Sequence, residues 1–166
     1  MKKTSTGGFT LIEMMITIAI AGVLLAIAVP NFRDFIINNS ISAQANDFVS
    51  GLALARSEAI KRGASVRVTA AGADFSSGWT IWVDANGNTA IDAGEALREH
   101  EALKTGFTLV GAGFTNDAEI QYRSTGIINS TTSGVFTLCY SGYTGRLISV
   151  SVTGRVSTAK TASVCS

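Results

Sequence analysis

Phe9-Thr-Leu-Ile-Glu13-Met-Met-Ile-Thr-Ile-Ala-Ile-Ala-Gly22-Val-Leu-Leu-Ala-Ile-Ala-Val29, closed by Pro30, is the stretch of sequence that decides the architecture. At about 1.5 Å of rise per residue, a helix over Phe9–Val29 covers roughly 30 Å, the thickness of a bilayer's hydrocarbon layer. Lys2 and Lys3 precede it and place its start on the cytoplasmic side by the positive-inside bias. A secretory signal would carry a shorter apolar run with a small-residue cleavage site behind it. Here the small pair Gly7-Gly8 lies ahead of the run, so processing there removes the charged leader and keeps the helix. The segment reads as a retained anchor.

One residue in it is out of place. An ionised side chain in the membrane interior costs about 2.5–3.5 kcal/mol on insertion scales, so Glu13 is expected only where a partner offsets that cost. Gly8-Phe9-Thr10-Leu11-Ile12-Glu13, followed by Pro30, resembles the prepilin signal of type IV pilins and type II secretion pseudopilins. The resemblance implies that a prepilin peptidase cuts between Gly8 and Phe9 and methylates the new amino group of Phe9. It also implies that Glu13 is the assembly acid, meeting that amine across a subunit boundary in the filament.

The helical pattern continues past the membrane. From Asn31 to Arg62, Phe32, Phe35, Ile36, Ile41, Ala45, Phe48, Leu52, Ala55 and Ala59 recur at three- and four-residue steps among polar residues. Lys61 and Arg62 suit the last-turn dipole and Gly63 a left-handed cap. Pro30 lacks an N–H and is expected to kink the rod. From Ala64 the period changes to two. SVRVT, WTIWV, EIQYR, VFTLCY and LISVSV read as strands between Gly, Ser, Asn and Thr clusters, which predicts an antiparallel sheet system packed on the helix. The fold class is therefore α+β: leader 1–8, transmembrane helix 9–29, amphipathic extension 30–62 and a β-rich head 64–166. A long helix followed by such strands, with a GW-x-I-W-V-D-x-N-x-N segment and a late cationic GR strand, is similar to the GspH/FimT family of minor pilins and minor pseudopilins.

Charge is unevenly spread. The chain's formal net charge is +1, yet after Glu119 it holds Arg123, Arg146, Arg155 and Lys160 with no acid among them. Its two cysteines, Cys139 and Cys165, lie in the same quarter, and in an exported chain they most simply form one disulfide. That bridge would tether a Ser/Thr/Ala-rich tail carrying Lys160 to the sheet. Arg146 and Arg155 would cap one strand, Gly145–Arg155. Cations on a tethered, flexible loop suit sequence-independent phosphate binding. Some relatives take up DNA through a G-R-x-R motif, of which Gly154-Arg155-Val156-Ser157 keeps only the first two positions. An ordinary cationic strand is the alternative.

Asp84, Asn86, Asn88, Asp92 and Glu95 fall at oxygen-donor positions 1, 3, 5, 9 and 12 of a calcium loop. Thr89 stands where that loop needs glycine, and Asn-Gly-Asn is a good hairpin turn by itself. A structural acidic loop and a calcium site both remain open; no other cofactor is indicated. His100, between Glu99 and Glu101, reads as solvated surface, and no nucleophile is paired with a base. Trp79 and Trp82 point to opposite faces of one strand, which makes at least one of them core. The sequence describes no enzyme. It fits a minor type IV pilin of the FimU/FimT kind, single-pass in the inner membrane with a periplasmic head, partnered by other pilins and helping to initiate the pilus near its tip. The same residues fit a DNA-binding minor pilin of natural transformation, or a GspH-like minor pseudopilin of type II secretion.

Overall fold

The structure, a computed structural model, describes residues 8–165, so all of the expected leader except Gly8 lies outside the described residues. Helix α1 runs Leu11–Arg62 without a break at Pro30. The missing proline amide leaves one carbonyl of the preceding turn without its usual donor, and Asn31 Nδ2 donates to the neighbouring Ile27 carbonyl at 3.0 Å. The chain divides into two compact units, 1–39 and 40–166.

In the first unit the apolar side chains from Phe9 to Ile36 are exposed, and only Ile37 among the described residues is buried. Phe9 is 83% exposed, and Leu11, Ile16, Leu24 and Val29 are all more than half exposed, as a helix solvated by lipid requires. An 18-residue window of this helix reaches a mean hydropathy of 2.5 with none of it buried. Phe32, Phe35 and Ile36 were expected on the buried stripe; all three are exposed, with the first two rings 6.4 Å apart. The periodicity that links them to Ile41 continues geometrically, but no core covers them.

In the second unit the same helix buries Ile41, Ala45, Phe48, Leu52, Ala55 and Ala59, a stripe at alternating steps of four and three. Gly63 ends it in the left-handed conformation, φ 63°. Eight strands follow: β1 (Val66–Ala70), β2 (Trp79–Val83), β3 (Ala96–His100), β4 (Phe107–Ala112), β5 (Glu119–Tyr122), β6 (Gly134–Tyr140), β7 (Thr144–Val150) and β8 (Val156–Val164). They form two four-stranded sheets, ordered β3-β2-β1-β5 and β4-β6-β7-β8. All named pairings are antiparallel.

Alternation decides which side chains meet the helix. Val66, Val68, Ile81 and Ile120 supply the inner face of the first sheet; Leu109, Phe136, Leu138 and Ile148 supply that of the second. Phe48 ties the layers together. Its ring stands edge-on to Phe75, Trp79 and Phe136 at centroid distances of 5.4, 4.9 and 4.8 Å, joining the helix to both sheets. Such pairs add about 0.5–1.5 kcal/mol each beyond area burial.

Both tryptophans are core, each 2% exposed. Trp82 lies on the other face of β2, where Nε1 donates to Thr69 Oγ1 and the Arg67 guanidinium sits 5.5 Å above its ring. Arg67 in turn pairs with Glu119 at 2.7 Å and Asp84 at 3.5 Å. Three strands go beyond the five expected: β3, β4 and β8. The last corrects the flexible tail, because Val156–Val164 is a nine-residue edge strand paired with β7.

Candidate functional site

Thr10 and Glu13 form a reciprocal cap at the start of α1. Glu13 N donates to Thr10 Oγ1 at 3.3 Å, and Thr10 N donates to Glu13 Oε2 at 3.4 Å. This is a capping box, in which two first-turn amides that the helix cannot satisfy find side-chain oxygens. A carboxylate in the first turn also complements the positive end of the helix dipole. Glu13 therefore has a local role as well as any assembly role. Its carboxylate lies against the amide of the residue following Phe9, which puts it beside the point where cleavage after Gly8 would create an amine.

Three of the four C-terminal cations, Arg146, Arg155 and Lys160, fall on the β7–β8 hairpin and separate into two places. Arg146 and Lys160 are direct cross-strand partners in the ladder. Arg146 is half-buried, and its Nη2 donates to Ser42 Oγ on the helix at 3.0 Å, while Lys160 is exposed. Like charges placed opposite one another disfavour the pairing, and Arg146 turns to Ser42 while Lys160 stays in solvent. Arg155 lies five positions from Lys160 along the chain, roughly 17 Å at strand rise. It does not cap a continuous strand, contrary to the expectation for Gly145–Arg155: β7 stops at Val150 and Ser151–Arg155 is a turn. Ser151 N donates to the Arg155 carbonyl at 3.0 Å and Gly154 N to the Ser151 carbonyl at 2.8 Å.

That turn is held from the helix. Arg56 Nε donates to the Gly126 carbonyl at 2.9 Å and Nη2 to the Thr153 carbonyl at 3.1 Å. Gly154 has φ 75°, and a Cβ there would lie 2.1 Å from the Gly126 oxygen, so only glycine permits this approach. Beneath it the Tyr122 ring is fully buried, and among the described residues its hydroxyl has no hydrogen-bond partner. Burial pushes the Tyr122 phenol above its ordinary range, with Arg56 opposing weakly. Cys139 and Cys165 are joined in a disulfide, Cα atoms 5.6 Å apart, which fastens the end of β8 to β6.

Asp84 to Glu95 is the connection between β2 and β3. Its oxygens are engaged within the loop. Asp92 Oδ2 accepts from Asn86 Nδ2 at 2.7 Å and Asn88 Nδ2 at 2.8 Å, and the side-chain Oδ1 atoms of Asn86 and Asn88 accept from the backbone amides of Asn88 and Ala90. Glu95, 8% exposed, accepts from the amides of Ala85 and Asp92. Asp84 lies apart, turned to Arg67. Asn86, Asn88 and Asp92 thus come together; Asp84 and Glu95 serve other partners. Thr89 takes the left-handed conformation, φ 63°, that glycine would hold without strain.

His100 is not solvated surface. Its ring stacks on Trp79 at 3.8 Å, Nε2 meets Asp47 Oδ2 at 2.5 Å, and Nδ1 meets the Glu101 carbonyl at 2.7 Å. Arg98 reaches the other Asp47 oxygen at 3.3 Å, so β3 is pinned to the helix. Strand alternation sends Glu99 and Glu101 to the opposite face, a signal available once 96–100 is read as a strand. The capping box was equally legible as Thr-x-x-Glu.

The family described as type II transport protein GspH matches residues 44–154, and the prokaryotic N-terminal methylation motif matches residues 3–29. A fimbrial protein of Pseudomonas aeruginosa is 41% identical over 59 residues, 36% of this chain and 38% of that one. The type IV major fimbrial protein FimA of Dichelobacter nodosus is 48% identical over 40 residues, 24% of this chain and 26% of that one. The chain thus spans less than two fifths of these curated relatives. The crystal structure of the type IV minor pilin FimU of Pseudomonas aeruginosa is similar over 78% of this chain and 98% of that one, with a TM-score of 0.65 and 26% identity.

Proposed function

Because the chain belongs to the GspH family of type IV pilin-like proteins, structural subunits rather than enzymes, we propose that it is a minor type IV pilin that joins the pilus and helps initiate its assembly near the tip. The observation that carries this reading is the likeness to a minor pilin over 98% of its crystallised chain and 78% of this one. On this reading the prepilin peptidase cuts between Gly8 and Phe9, the Phe9 amine is methylated, and the precursor waits in the inner membrane with its head in the periplasm. Glu13 then meets a methylated amine on a neighbouring subunit. Pro30 lets adjacent helices pack where its turn lacks a hydrogen bond.

Glu13→Ala tests it. The variant should insert and be cleaved, since the apolar run is untouched, and should be missing from filaments sheared off the cell. Wild-type incorporation by Glu13→Ala removes the assembly role, and an N-terminus other than N-methylphenylalanine on the mature chain removes the processing.

The family's own description favours a second reading, a minor pseudopilin of type II secretion. Deletion separates the two: loss of surface pili supports the pilin, and loss of secreted enzymes with pili intact supports the pseudopilin. DNA uptake would rest on Arg155, Arg146 and Lys160, and so few cations give weak binding that falls steeply with salt. A low-salt gel shift abolished by Arg155→Ala would favour it.

A further inference from the structure

Asn86-Gly87 is the one Asn-Gly pair in the chain, and it stands in the exposed connection between β2 and β3. In such a pair the amide nitrogen after the asparagine can attack its carboxamide carbon, because glycine has no Cβ to hinder the approach. Folding ordinarily blocks this by burying the pair or by engaging that amide in a hydrogen bond. Here neither block is present. Both residues are exposed, and a Cβ built on Gly87 would meet no atom within 4 Å. Among the described residues no acceptor meets the Gly87 amide, although the amides of Asn88, Ala90 and Asp92 beyond it are all engaged.

The turn also aims the electrophile. Asn86 Oδ1 accepts from the Asn88 amide at 2.9 Å, which folds the carboxamide back over the Gly87 peptide. Negative charge gathers on that oxygen when Cγ is attacked, so the Asn88 N–H is a donor already in place. Gly87 has φ 77°, a conformation that glycine leaves and re-enters without steric penalty as a ring closes. On the other side, Asn86 Nδ2 donates to Asp92 Oδ2 at 2.7 Å. The loop is therefore held in part by the group that the reaction removes.

We propose that Asn86-Gly87 is a self-modification site whose product irreversibly loosens the β2–β3 connection. Gly87 N loses its proton to water and bonds to Asn86 Cγ, while Nδ2 takes up a proton and departs as ammonia, closing a five-membered succinimide. Water then cleaves either ring carbonyl, leaving aspartate or, with one more carbon in the main chain, isoaspartate. No oxidant or reductant takes part. Both products lack the donor that faced Asp92 Oδ2 and carry a new anion beside it, so repulsion replaces a hydrogen bond. Asp92 Oδ2 keeps Asn88 Nδ2 alone, at 2.8 Å. The chain's formal net charge of +1 falls by one. The chemistry is independent of any role of the chain in a filament.

The test follows the full chain by peptide mapping, purified in detergent and held at mildly alkaline pH in water enriched in heavy oxygen. The peptide carrying residues 86–88 should gain mass, take up the heavy isotope and divide into aspartate and isoaspartate forms. Asn86→Gln should stay unchanged, since its longer side chain cannot close the five-membered ring. A synthetic peptide of residues 81–93 gives the rate without the fixed turn. The Asn88 donor is one hydrogen bond, so the folded chain should react about fivefold faster than the peptide. A folded rate at or below the peptide's, or an equal mass gain in Asn86→Gln, overturns the site. The loosening is read separately with Asn86→Asp. Subtilisin should cut that variant within 84–95 about fivefold faster than it cuts freshly purified wild type. An unchanged or slower cut overturns the loosening.

Discussion

Removing the Cys139–Cys165 bridge should cost the head about 3.5 kcal/mol, because the bond closes a loop of about 27 residues whose unfolded ensemble it restricts. The structure adds a location to that magnitude. β8 has no core contact along most of its length, so without the bridge its last residues rest on the β7 ladder and on two bonds around Cys165, from Gly142 N to its carbonyl and from its amide to the Tyr143 carbonyl. Two separable effects follow for the double variant Cys139→Ser/Cys165→Ser. Global unfolding of the full chain in detergent, induced by urea and read by tryptophan fluorescence, should shift to lower denaturant. Both tryptophans sit in the head core, so the signal reports the head and not the membrane helix. Amide exchange at Ala162, Ser163 and Val164 should rise well before that at Val66 or Val68, which are fully buried. A loss of stability below about 1 kcal/mol would refute the loop-entropy reasoning. Exchange that rises uniformly through both sheets would refute the placement of the effect in β8.

Other sites give sharper signs. Tyr122→Phe should leave the head as stable or stabilise it by about 1 kcal/mol, because it removes a buried hydroxyl that has no partner among the described residues. The wild type should also lose stability as pH rises past about 10, where an unfolded tyrosine ionises and the buried one cannot. Denaturant melts at pH 8 and pH 10.5 would show the loss in the wild type, reduced in the variant. Gly154→Ala should cost about 2–5 kcal/mol, combining a left-handed backbone with a Cβ pressed on the Gly126 carbonyl, and a normal melt would show that the β7–β8 turn is held differently. Thr89→Gly should stabilise the chain by about 0.5–1 kcal/mol by relieving its left-handed conformation. Calcium titrated to millimolar should release no heat, since Asp92 and Glu95 already accept four donors between them; a saturable isotherm would support the calcium reading instead.

What could be read from the sequence depended on whether a segment has one wet face and one dry face. β1, β5 and β6 place buried residues at alternate positions, and alternation identified them, while β2, buried on both faces from Ile81 to Val83, and β7 were legible from their β-branched and aromatic residues. β8 has no dry face, so Val-Ser-Thr-Ala-Lys-Thr-Ala-Ser-Val carries no binary pattern and looked like a tail. β3 is similar, with every residue exposed or half-buried, and its missed assignment hid the partnership of His100 with Asp47. β4 does alternate, but glycines within and beside Phe107–Ala112 disguised it as a loop. On the helix the same apolar period ran through Phe32, Phe35 and Ile36, because periodicity records which residues share a face and not whether anything covers that face.

Glu13 shows how one residue can satisfy two requirements that sequence reasoning treats as rivals. Read as a membrane anomaly, it needs a cationic partner to justify its cost. In the structure it already has two polar contacts, both with Thr10, and these complete the first turn of α1. The long 3.4 Å bond from Thr10 N is the weaker of the two, and it involves the carboxylate oxygen that an amine at Phe9 would compete for. Cleavage after Gly8 would therefore exchange a neutral, marginal contact for a charged one without moving the helix. The glutamate is held near the helix start by its own turn before any neighbour arrives, which lowers the ordering cost of the later contact. This is a reason for the acid to sit three residues after a threonine, at the N3 position of the helix, and not deeper in the apolar run, where the same charge would have neither a cap to make nor an amine within reach.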